Sequence, residues 1–240
     1  MLTADDFERY QRQMLMPEIG IVGQERLKSA KIFIAGLGGL GSAAAIYLAS
    51  AGIGTIGIAD SDCVDKSNLH RQIIFDENDI GIEKTKAAKK KLLSINPSVE
   101  ISVHNKIDEN IINTIKNYDI VIDCTDNFEA RYAINDACLQ AKKPNVYASV
   151  VQFDAQLTVF LPGGPCYRCL HPSAPKGVQT CSEVGILGAL AGMLGTMQAI
   201  EAMKIVLVKV EVMSGKLFVF DALKNEFRYL MLPRRNNCIC

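Results

Sequence analysis

Six residues near the start of the chain have the spacing of a phosphate-binding turn. The segment Gly36-Leu-Gly-Gly-Leu-Gly41 has the form G-x-G-x-x-G, and it separates the β-rich run Lys31–Ala35 from a helix-like run of small residues. Glycines let the backbone approach a phosphate, and a helix N-terminus presents free N–H groups to it. Asp60 follows about 20 residues later, where an acid can bond a ribose hydroxyl. The pattern predicts a nucleotide site, with NAD and ATP both open and a tight turn that binds nothing as the alternative.

Two cations follow the second predicted strand. Arg71 lies in the polar run Ser67-Asn-Leu-His-Arg-Gln72, and Lys84 begins a predicted helix. A cation at a helix N-terminus opposes the helix dipole at a cost of about 0.3–1 kcal/mol, so an anion is expected nearby. Lys84 is therefore a candidate phosphate ligand. The lysines at 86, 89, 90 and 91 are expected to form a solvated face of the same helix.

A short acidic run comes after another predicted strand. Asp123-Cys-Thr-Asp-Asn127 lies at the carboxyl edge of that strand, which is where open α/β sheets bind ligands. Asp126 with Glu129 three residues later also resembles a helix-capping arrangement. The residues alone leave two interpretations of Asp126 open, a cap and a ligand for a metal–phosphate group.

The chain has eight cysteines, and four of them form two close pairs. Cys166-x-x-Cys169 is half of a structural zinc site, and Cys238-x-Cys240 is a candidate for the other half. The shorter C-x-C spacing leaves open whether the second pair completes the site or belongs to a frayed tail. A redox C-x-x-C would not need a second pair. Cysteines 63, 124 and 138 are interpreted as packing residues, whereas Cys181 lies in a predicted loop where a nucleophile could reach a partner.

Strands alternate with helices along most of the chain, which predicts βαβ units around a parallel sheet. The expected strands are Lys31–Ala35, Thr55–Ala59, Val99–Val103, Asp119–Ile122 and Ala155–Leu161, followed by a hairpin of Lys216–Phe220 and Phe227–Leu232. The expected helices are Ala4–Leu15 with Thr3 as N-cap, Gly39–Ala51, Thr85–Ile95 and about Asn127–Ala141. The predicted fold class is α/β, with a Rossmann-like, mostly parallel sheet extended by antiparallel C-terminal strands and helices on both faces.

Composition limits the kind of protein this is. Lys plus Arg and Asp plus Glu both total 26, and this balance argues against a nucleic-acid partner. The N-terminal residues show no signal-peptide pattern, so a cytoplasmic protein is expected. The uncharged run Val184–Ile200 is shorter than the ~20 apolar residues that span a bilayer, so we expect a buried helix and no membrane partner.

Several motifs occur together in a fixed order. They are Arg9-Tyr-Gln-Arg-Gln13, the glycine turn at 36–41, Asn68-x-x-Arg71-Gln72, Lys84, Asp123-Cys-Thr-Asp-Asn127 and Cys166-Tyr-Arg-Cys169. This ordered set resembles the ThiF/MoeB/HesA family, bacterial relatives of ubiquitin-activating enzymes, from about Arg9 to Arg235. The resemblance implies a single adenylation domain over 1–240. Its nucleotide-binding half would span 1–150, and a half with the zinc site, crossover loop and carrier-binding surface would span 151–240.

The resemblance also implies a reaction. Such a protein uses ATP and Mg²⁺ to adenylate the C-terminal glycine of a ubiquitin-like sulfur-carrier protein ending in Gly-Gly, and it releases pyrophosphate. The carrier could serve molybdopterin or thiamine synthesis. The alternatives are an NAD-dependent oxidoreductase and a catalytically silent nucleotide-binding partner protein.

The same resemblance assigns roles to residues of this chain. The glycines 36, 38, 39 and 41 would hold the phosphates, and Asp60 the ribose. Arg71 and Lys84 would bind the triphosphate, Ser67, Asn68 and Asn127 would line the site, and Asp126 would hold Mg²⁺. Arg12 would enter the neighbouring subunit's site in a homodimer, and Zn²⁺ would bind the paired cysteines. Two interpretations of Cys181 stay open, a covalent bond to the carrier and a loop cysteine with no chemical role. Sulfur would be brought by a separate donor protein.

Overall fold

One mixed sheet organises the molecule. The computed structural model describes residues 1–104, 107–108, 110–174, 185–208 and 210–240. The strands are β1 Lys31–Ala35, β2 Thr55–Ala59, β3 Glu100–His104, β4 Ile120–Asp123, β5 Asn145–Val151, β6 Asp154–Phe160, β7 Lys216–Asp221 and β8 Glu226–Met231. They lie in the order β3-β2-β1-β4-β5-β6-β7-β8. The first five strands pair in parallel, and β6, β7 and β8 continue the sheet with antiparallel pairing.

Helices cover both faces of this sheet. They are α1 Ala4–Met14, α2 Gly20–Ser29, α3 Gly39–Ser50, α4 Lys84–Ile95, α5 Ile112–Ile115, α6 Phe128–Ala141, α7 Tyr167–Leu170 and α8 Gly188–Leu207. Because side chains alternate across a strand, Ile32 and Ile34 of β1 enter the core beneath α3, α4 and α8. Phe33 and Ala35 of the same strand enter a second core beneath α5 and α6. The predicted fold class is confirmed.

The apolar helix α8 lies within the core. By length and composition it could cross a membrane, and half of its most apolar window is buried inside the protein. Gly195 lets it approach α3, since a Cβ there would lie 2.1 Å from the Leu40 carbonyl oxygen. The buried Gln198 amide donates to the carbonyl oxygens of Asp123 and Val146, at 2.8 and 3.0 Å. The buried helix expected from the sequence is therefore confirmed.

Of the α-helices and strands that the structure describes, α2, α5, α7 and β5 were not predicted from the sequence. Helix α2 has a weakly periodic pattern of apolar residues, and β5 follows α6 after only a short turn. The N-cap expected of Thr3 is confirmed: its hydroxyl accepts from the Asp6 N–H, and the Asp6 carboxylate accepts from the Thr3 N–H, which together form a capping box. Most of the long loop expected at His171–Gly185 lies outside the described residues.

Candidate active site

The predicted nucleotide site lies at the carboxyl ends of β1, β2 and β4. The chain leaves β1 toward β2 on one side, and after β3 it crosses to β4 on the other side of β1. Ligands of open α/β sheets bind at this switch in strand order. The glycine turn follows β1, Asp60 follows β2, and the segment 123–127 ends β4 and precedes α6. The fold thus brings three separate sequence motifs to one edge of the sheet.

At most glycines of the turn, backbone conformation or neighbouring atoms of this chain leave no room for a side chain. Gly36 has φ +92°, and a Cβ there would lie 3.0 Å from the Cys124 carbonyl oxygen. At Gly41 a Cβ would lie 1.9 Å from the Gly36 oxygen, and at Gly39 it would lie 2.9 Å from Ala191 Cβ. Gly38 differs, since a Cβ there would meet no atom within 4 Å. The turn therefore leaves open space beside Gly38.

Helix α3 begins at this turn without a side-chain cap. Its N-cap residue is Gly38, so no side chain bonds the N–H groups of its first turn. Such groups are unsatisfied within a helix and attract anions. Just before the helix, the Leu37 N–H donates to Asp60 Oδ2 at 2.8 Å, and this bond fixes the turn against the end of β2. The geometry suits a phosphate group at the start of α3.

Lys84 is held by two acids of the chain. Its Nζ lies 2.8 Å from Asp62 Oδ2 and 3.6 Å from Asp60 Oδ1, and the side chain is buried. The anion expected beside this helix-start cation is thus supplied by Asp62 and Asp60. Asp62, which is largely exposed, was not singled out from the sequence. The ion pairs nevertheless place the Lys84 ammonium group beside Asp60, at the site edge.

The polar loop before Lys84 is an ordered turn. Lys66–Asn68 forms a short 3₁₀ helix, and Ser67 donates from its backbone and hydroxyl groups to Asp65. These bonds lower the pKa of the Asp65 carboxyl group. Arg71 donates to the Ser67 carbonyl oxygen at 2.9 Å, and its backbone packs against Gly39 and Gly188. The loop therefore carries Ser67, Asn68 and Arg71 next to the glycine turn.

The structure excludes one of the two interpretations of Asp126. The N-cap of α6 is Asn127, whose Oδ1 accepts from the Ala130 N–H at 2.9 Å. Asp126 is exposed, and the Asn127 amide donates to it at 3.4 Å. The capping interpretation of Asp126 is therefore wrong, because the next residue fills that role. A carboxylate at the carboxyl end of β4 stays available for a cation.

A buried polar cluster lies beneath that segment, and sequence reasoning missed it. Arg131 of α6 is buried and donates from Nε and Nη2 to the Thr125 carbonyl oxygen, at 3.2 and 2.8 Å. Asp123 Oδ1 accepts from the Thr125 N–H and hydroxyl. Burial raises the pKa of Asp123, and Arg131 and Thr125 oppose that rise. The sequence signal that could have revealed this cluster is a charged residue, Arg131, on the inner face of a predicted helix.

Arg12 lies on a different part of the molecule. Its neighbours on α1 contact the far end of α3: Gln13 donates to the Ala51 carbonyl oxygen, and Tyr10 packs against Gly52. Helix α3 has 12 residues and is therefore about 18 Å long, with the glycine turn at its other end. Arg12 is exposed, and within the described ranges it has no ion-pair partner. The chain alone does not bring Arg12 to the glycine turn.

The two cysteine pairs come together. Cys166 Sγ lies 3.4 Å from Cys238 Sγ, Cys169 Sγ lies 3.5 Å from Cys240 Sγ, and all four sulfurs lie within 4.8 Å of one another. Sulfurs around a tetrahedral zinc ion, at Zn–S of about 2.3 Å, would be about 3.8 Å apart. The Arg235 N–H also donates to Cys169 Sγ. The shorter C-x-C spacing is therefore compatible with a four-thiol site, and this donor set suits Zn²⁺.

Other residues near the cysteines have different roles. Cys124 and Cys138 are buried as expected, but Cys63 is exposed, so its interpretation as a packing residue is wrong. His171 is not part of the four-thiol group, because its ring packs against Phe128 and Tyr167. Cys181 lies outside the described residues, so its predicted role stays a prediction.

Fold and site together define an α/β protein with a glycine-rich strand–helix turn at its switch point. A model of the ThiF family matches residues 10–240, and the chain belongs to that family. Relatives from Drosophila yakuba and Aedes aegypti, each named adenylyltransferase and sulfurtransferase MOCS3, are 44% identical over 99% of this chain. The alignments cover 54% and 56% of those proteins, so this chain spans about half the length of the curated relatives it matches.

The fold is similar to that of E. coli MccB. A crystal structure of MccB with SeMet MccA superposes with a TM-score of 0.86 at 25% sequence identity. The match covers 99% of this chain and 74% of the MccB chain. The similarity therefore includes the antiparallel C-terminal strands as well as the parallel half of the sheet.

Proposed function

We propose that this protein adenylates the C-terminal glycine of a ubiquitin-like sulfur-carrier protein, with ATP and Mg²⁺ as co-substrate and metal. One observation carries the proposal: the open glycine turn, Lys84 and Asp126 lie together at one edge of the sheet. Membership of the ThiF family and relatives named adenylyltransferases support the same reaction. They favour it over hydride transfer to NAD and over a silent binding protein.

The residues at the site suit the chemistry. A carboxylate oxygen of the carrier attacks the α-phosphorus of ATP, an O–P bond forms, and the bond to pyrophosphate breaks. Every reacting group is anionic, so catalysis needs positioning and charge neutralisation more than a general base. The Arg71 guanidinium and the Lys84 ammonium group supply positive charge. Mg²⁺, held by Asp126, would screen the phosphate oxygens further.

The other proposed contacts with the nucleotide follow from where the residues lie around the glycine turn. The N–H groups at the start of α3, beside Gly36, Gly38, Gly39 and Gly41, would bind phosphate oxygens. Asp60 would accept a bond from a ribose hydroxyl, since it ends β2 beside that turn. The side chains of Ser67, Asn68 and Asn127 would line the nucleotide. Lys84 would exchange its bond to the exposed Asp62 for one to the triphosphate.

Arg12 supports a homodimer. It lies on α1, whose Tyr10 and Gln13 contact the end of α3 opposite the glycine turn, and α3 is about 18 Å long. We therefore expect Arg12 to complete a neighbour's site and not its own. Leu15 and Met16, which follow α1, and Ile21 and Val22 of the next helix, α2, are large apolar side chains that are exposed in the single chain. Such a patch marks an interaction surface. The second copy would cover this patch and receive Arg12.

Two further parts of the proposal concern sulfur and metal. The four cysteines 166, 169, 238 and 240 would bind one Zn²⁺ that ties the C-terminal tail to α7, with no part in the chemical step. The relatives are named for sulfurtransferase as well as adenylyltransferase activity. A covalent bond between Cys181 and the carrier, and a separate sulfur donor, stay predictions.

ATP–pyrophosphate exchange tests the proposal. Purified protein with Mg²⁺, ATP and labelled pyrophosphate would be assayed with a panel of small carriers that end in Gly-Gly. Each carrier has a matched control that lacks its last glycine. Exchange that depends on one carrier and on its terminal glycine is the expected result. Exchange without any carrier, or none with any member of the panel, would count against the proposal.

A further inference from the structure

We propose that Arg131 is a positioning residue that holds the segment carrying Asp126 and Asn127 in the geometry needed to bind metal-bound nucleotide. The inference rests on the proposed function, because it assigns Asp126 to Mg²⁺. Arg131 does not face the open edge of the site, since it is only 7% exposed. Its effect on the reaction must therefore pass through the residues that it touches.

The contacts of Arg131 end on the backbone between β4 and α6. Two of its nitrogen atoms, Nε and Nη2, donate to the Thr125 carbonyl oxygen, directly before Asp126. The N–H and the hydroxyl of the same residue, Thr125, donate to Asp123 Oδ1. Thr125 is thus bonded from both sides. The peptide that joins Thr125 to Asp126 is planar. Fixing the Thr125 carbonyl therefore also restricts the direction of the backbone at Asp126.

The guanidinium group is itself held in place. It lies over the Tyr147 ring at 5.4 Å and over the Phe128 ring at 5.9 Å, and it donates more weakly to Ser149 Oγ at 3.4 Å. Aromatic faces attract such a cation most strongly when both are removed from water. A buried charge is costly unless it is paired and hydrogen-bonded. The two hydrogen bonds to the Thr125 carbonyl oxygen supply much of that compensation here. The carbonyl that it binds belongs to the site segment.

The helix cap transmits the same restraint to Asn127. The Asn127 side chain caps α6, and the Arg131 N–H donates to the Asn127 carbonyl oxygen in the first turn. Arg131 therefore contacts this segment through its side chain and through its backbone. Partners that orient a metal ligand typically change metal affinity or activity by about 10–100-fold when they are removed. We expect an effect of that size here.

The test compares nucleotide binding with and without metal. Calorimetry gives the affinity of a non-hydrolysable ATP analogue in saturating Mg²⁺ and in a chelator, and their ratio measures the contribution of the metal. Arg131→Met should lower this ratio by about 100-fold and Arg131→Lys by about tenfold. The affinity in chelator should not change, because the glycine turn is untouched. A general loss of packing would lower both affinities together.

Arg26→Met is the matched control. Arg26 also donates to a backbone carbonyl, that of Leu207 at 2.8 Å, but at the far end of α8. The Arg26→Met protein should keep the wild-type ratio of affinities with and without Mg²⁺. A folded Arg131→Met protein with the wild-type ratio would overturn the inference. If that variant fails to melt cooperatively, Arg131→Lys decides in the same way, and a wild-type ratio in it would overturn the inference.

Asp126→Asn separates this inference from the proposed function. If Asp126→Asn loses the metal contribution and a folded Arg131 variant does not, only the role of Arg131 is wrong. If the wild-type protein binds the analogue equally well with and without Mg²⁺, the assigned role of Asp126 and the inference both fail. If binding behaves as expected but pyrophosphate exchange is absent, the proposed reaction fails while Arg131 keeps its role toward the metal.

Discussion

At the residue scale, Gly38 is the most informative position of the glycine turn. Neighbouring atoms explain why Gly36, Gly39 and Gly41 lack side chains, but nothing among the described residues approaches Gly38. Its φ of −70° does not require glycine either. A missing side chain that neither packing nor backbone explains fits the close approach of a ligand. We interpret the open space as the path of the phosphates.

Two glycine substitutions test this interpretation. Gly38→Ala should fold with a loss of about 1 kcal/mol or less, since alanine is a poorer N-cap than glycine. Its exchange activity should fall by about 100-fold, because the new methyl group displaces the phosphates. Gly41→Ala should instead fail to fold, owing to the Gly36 oxygen at 1.9 Å from its Cβ. Thermal melting and exchange assays measure both effects. Normal activity in Gly38→Ala would be inconsistent with a phosphate there.

The phosphate-directed cations give a second prediction at this scale. Lys84→Ala or Arg71→Ala should lower exchange by about 100-fold or more, because each charge stabilises the transition state. Lys90→Ala, an exposed lysine on the same helix, should leave the rate unchanged. Circular dichroism would check folding, since Lys84 is also the buried partner of Asp60 and Asp62. Wild-type exchange in both variants would remove these residues from the mechanism.

Residue types with a strong local signal could be predicted, whereas residues defined by a tertiary contact could not. The glycine turn, Asp60 and Lys84 could be proposed as site residues because their types and their places beside predicted strands and helices are visible in the local sequence. Asp62 and Arg131 were missed, because their partners lie more than a few positions away or are backbone atoms. Asn127 as the helix cap was also missed, since Asp126 next to it has an equally suitable side chain.

At the element scale, the cysteine cluster connects two parts of the chain that are distant in sequence. Helix α7 carries Cys169, Cys166 is its N-cap, and the tail after β8 carries Cys238 and Cys240. In this arrangement burial works to raise the pKa of the Cys238 thiol, but hydrogen bonds from the Cys240 N–H and the Cys166 thiol lower it to about 7. The thiolate is the form that binds metal.

Metal analysis tests this element. About one zinc ion per chain is expected, and its removal by a chelator should lower the melting temperature, since metal binding is coupled to folding. Cys166→Ser should abolish metal binding and Cys240→Ser should weaken it. Cys63→Ser is the control, because that thiol is exposed and outside the cluster. Zinc content that survives in Cys166→Ser would show that the thiols have been assigned wrongly.

Elements with a clear period were predicted within a residue or two, and β1 and β2 were predicted with their observed bounds. Helix α2 was missed because its buried residues, Gly23, Gln24 and Leu27, are not a clear apolar stripe. Strand β5 begins only a few residues after α6, and it is identified mainly by its pairing with β4 and β6. Such long-range pairing is not encoded in local pattern.

At the scale of the whole molecule, the position of Arg12 away from the glycine turn predicts an active site shared between two copies of the chain. Arg12→Ala and Asp126→Ala should each be inactive alone. In a mixture, heterodimers should regain activity at one of their two sites, because one interface then has both wild-type residues. Exchange assays on mixed and unmixed variants measure this recovery. Failure to recover after subunit exchange, shown with differently tagged chains, would indicate a site built within one subunit.

In the proposed reaction the carrier itself receives the adenylyl group. Whole-protein mass spectrometry detects this transfer in a mixture of carrier, enzyme, ATP and Mg²⁺ that is quenched within a turnover. We expect a carrier heavier by one adenylyl group, no such species when the terminal glycine is deleted, and none with Asp126→Ala enzyme. An unmodified carrier in the presence of bound ATP, or an adenylyl group on the enzyme instead, would contradict the proposed reaction.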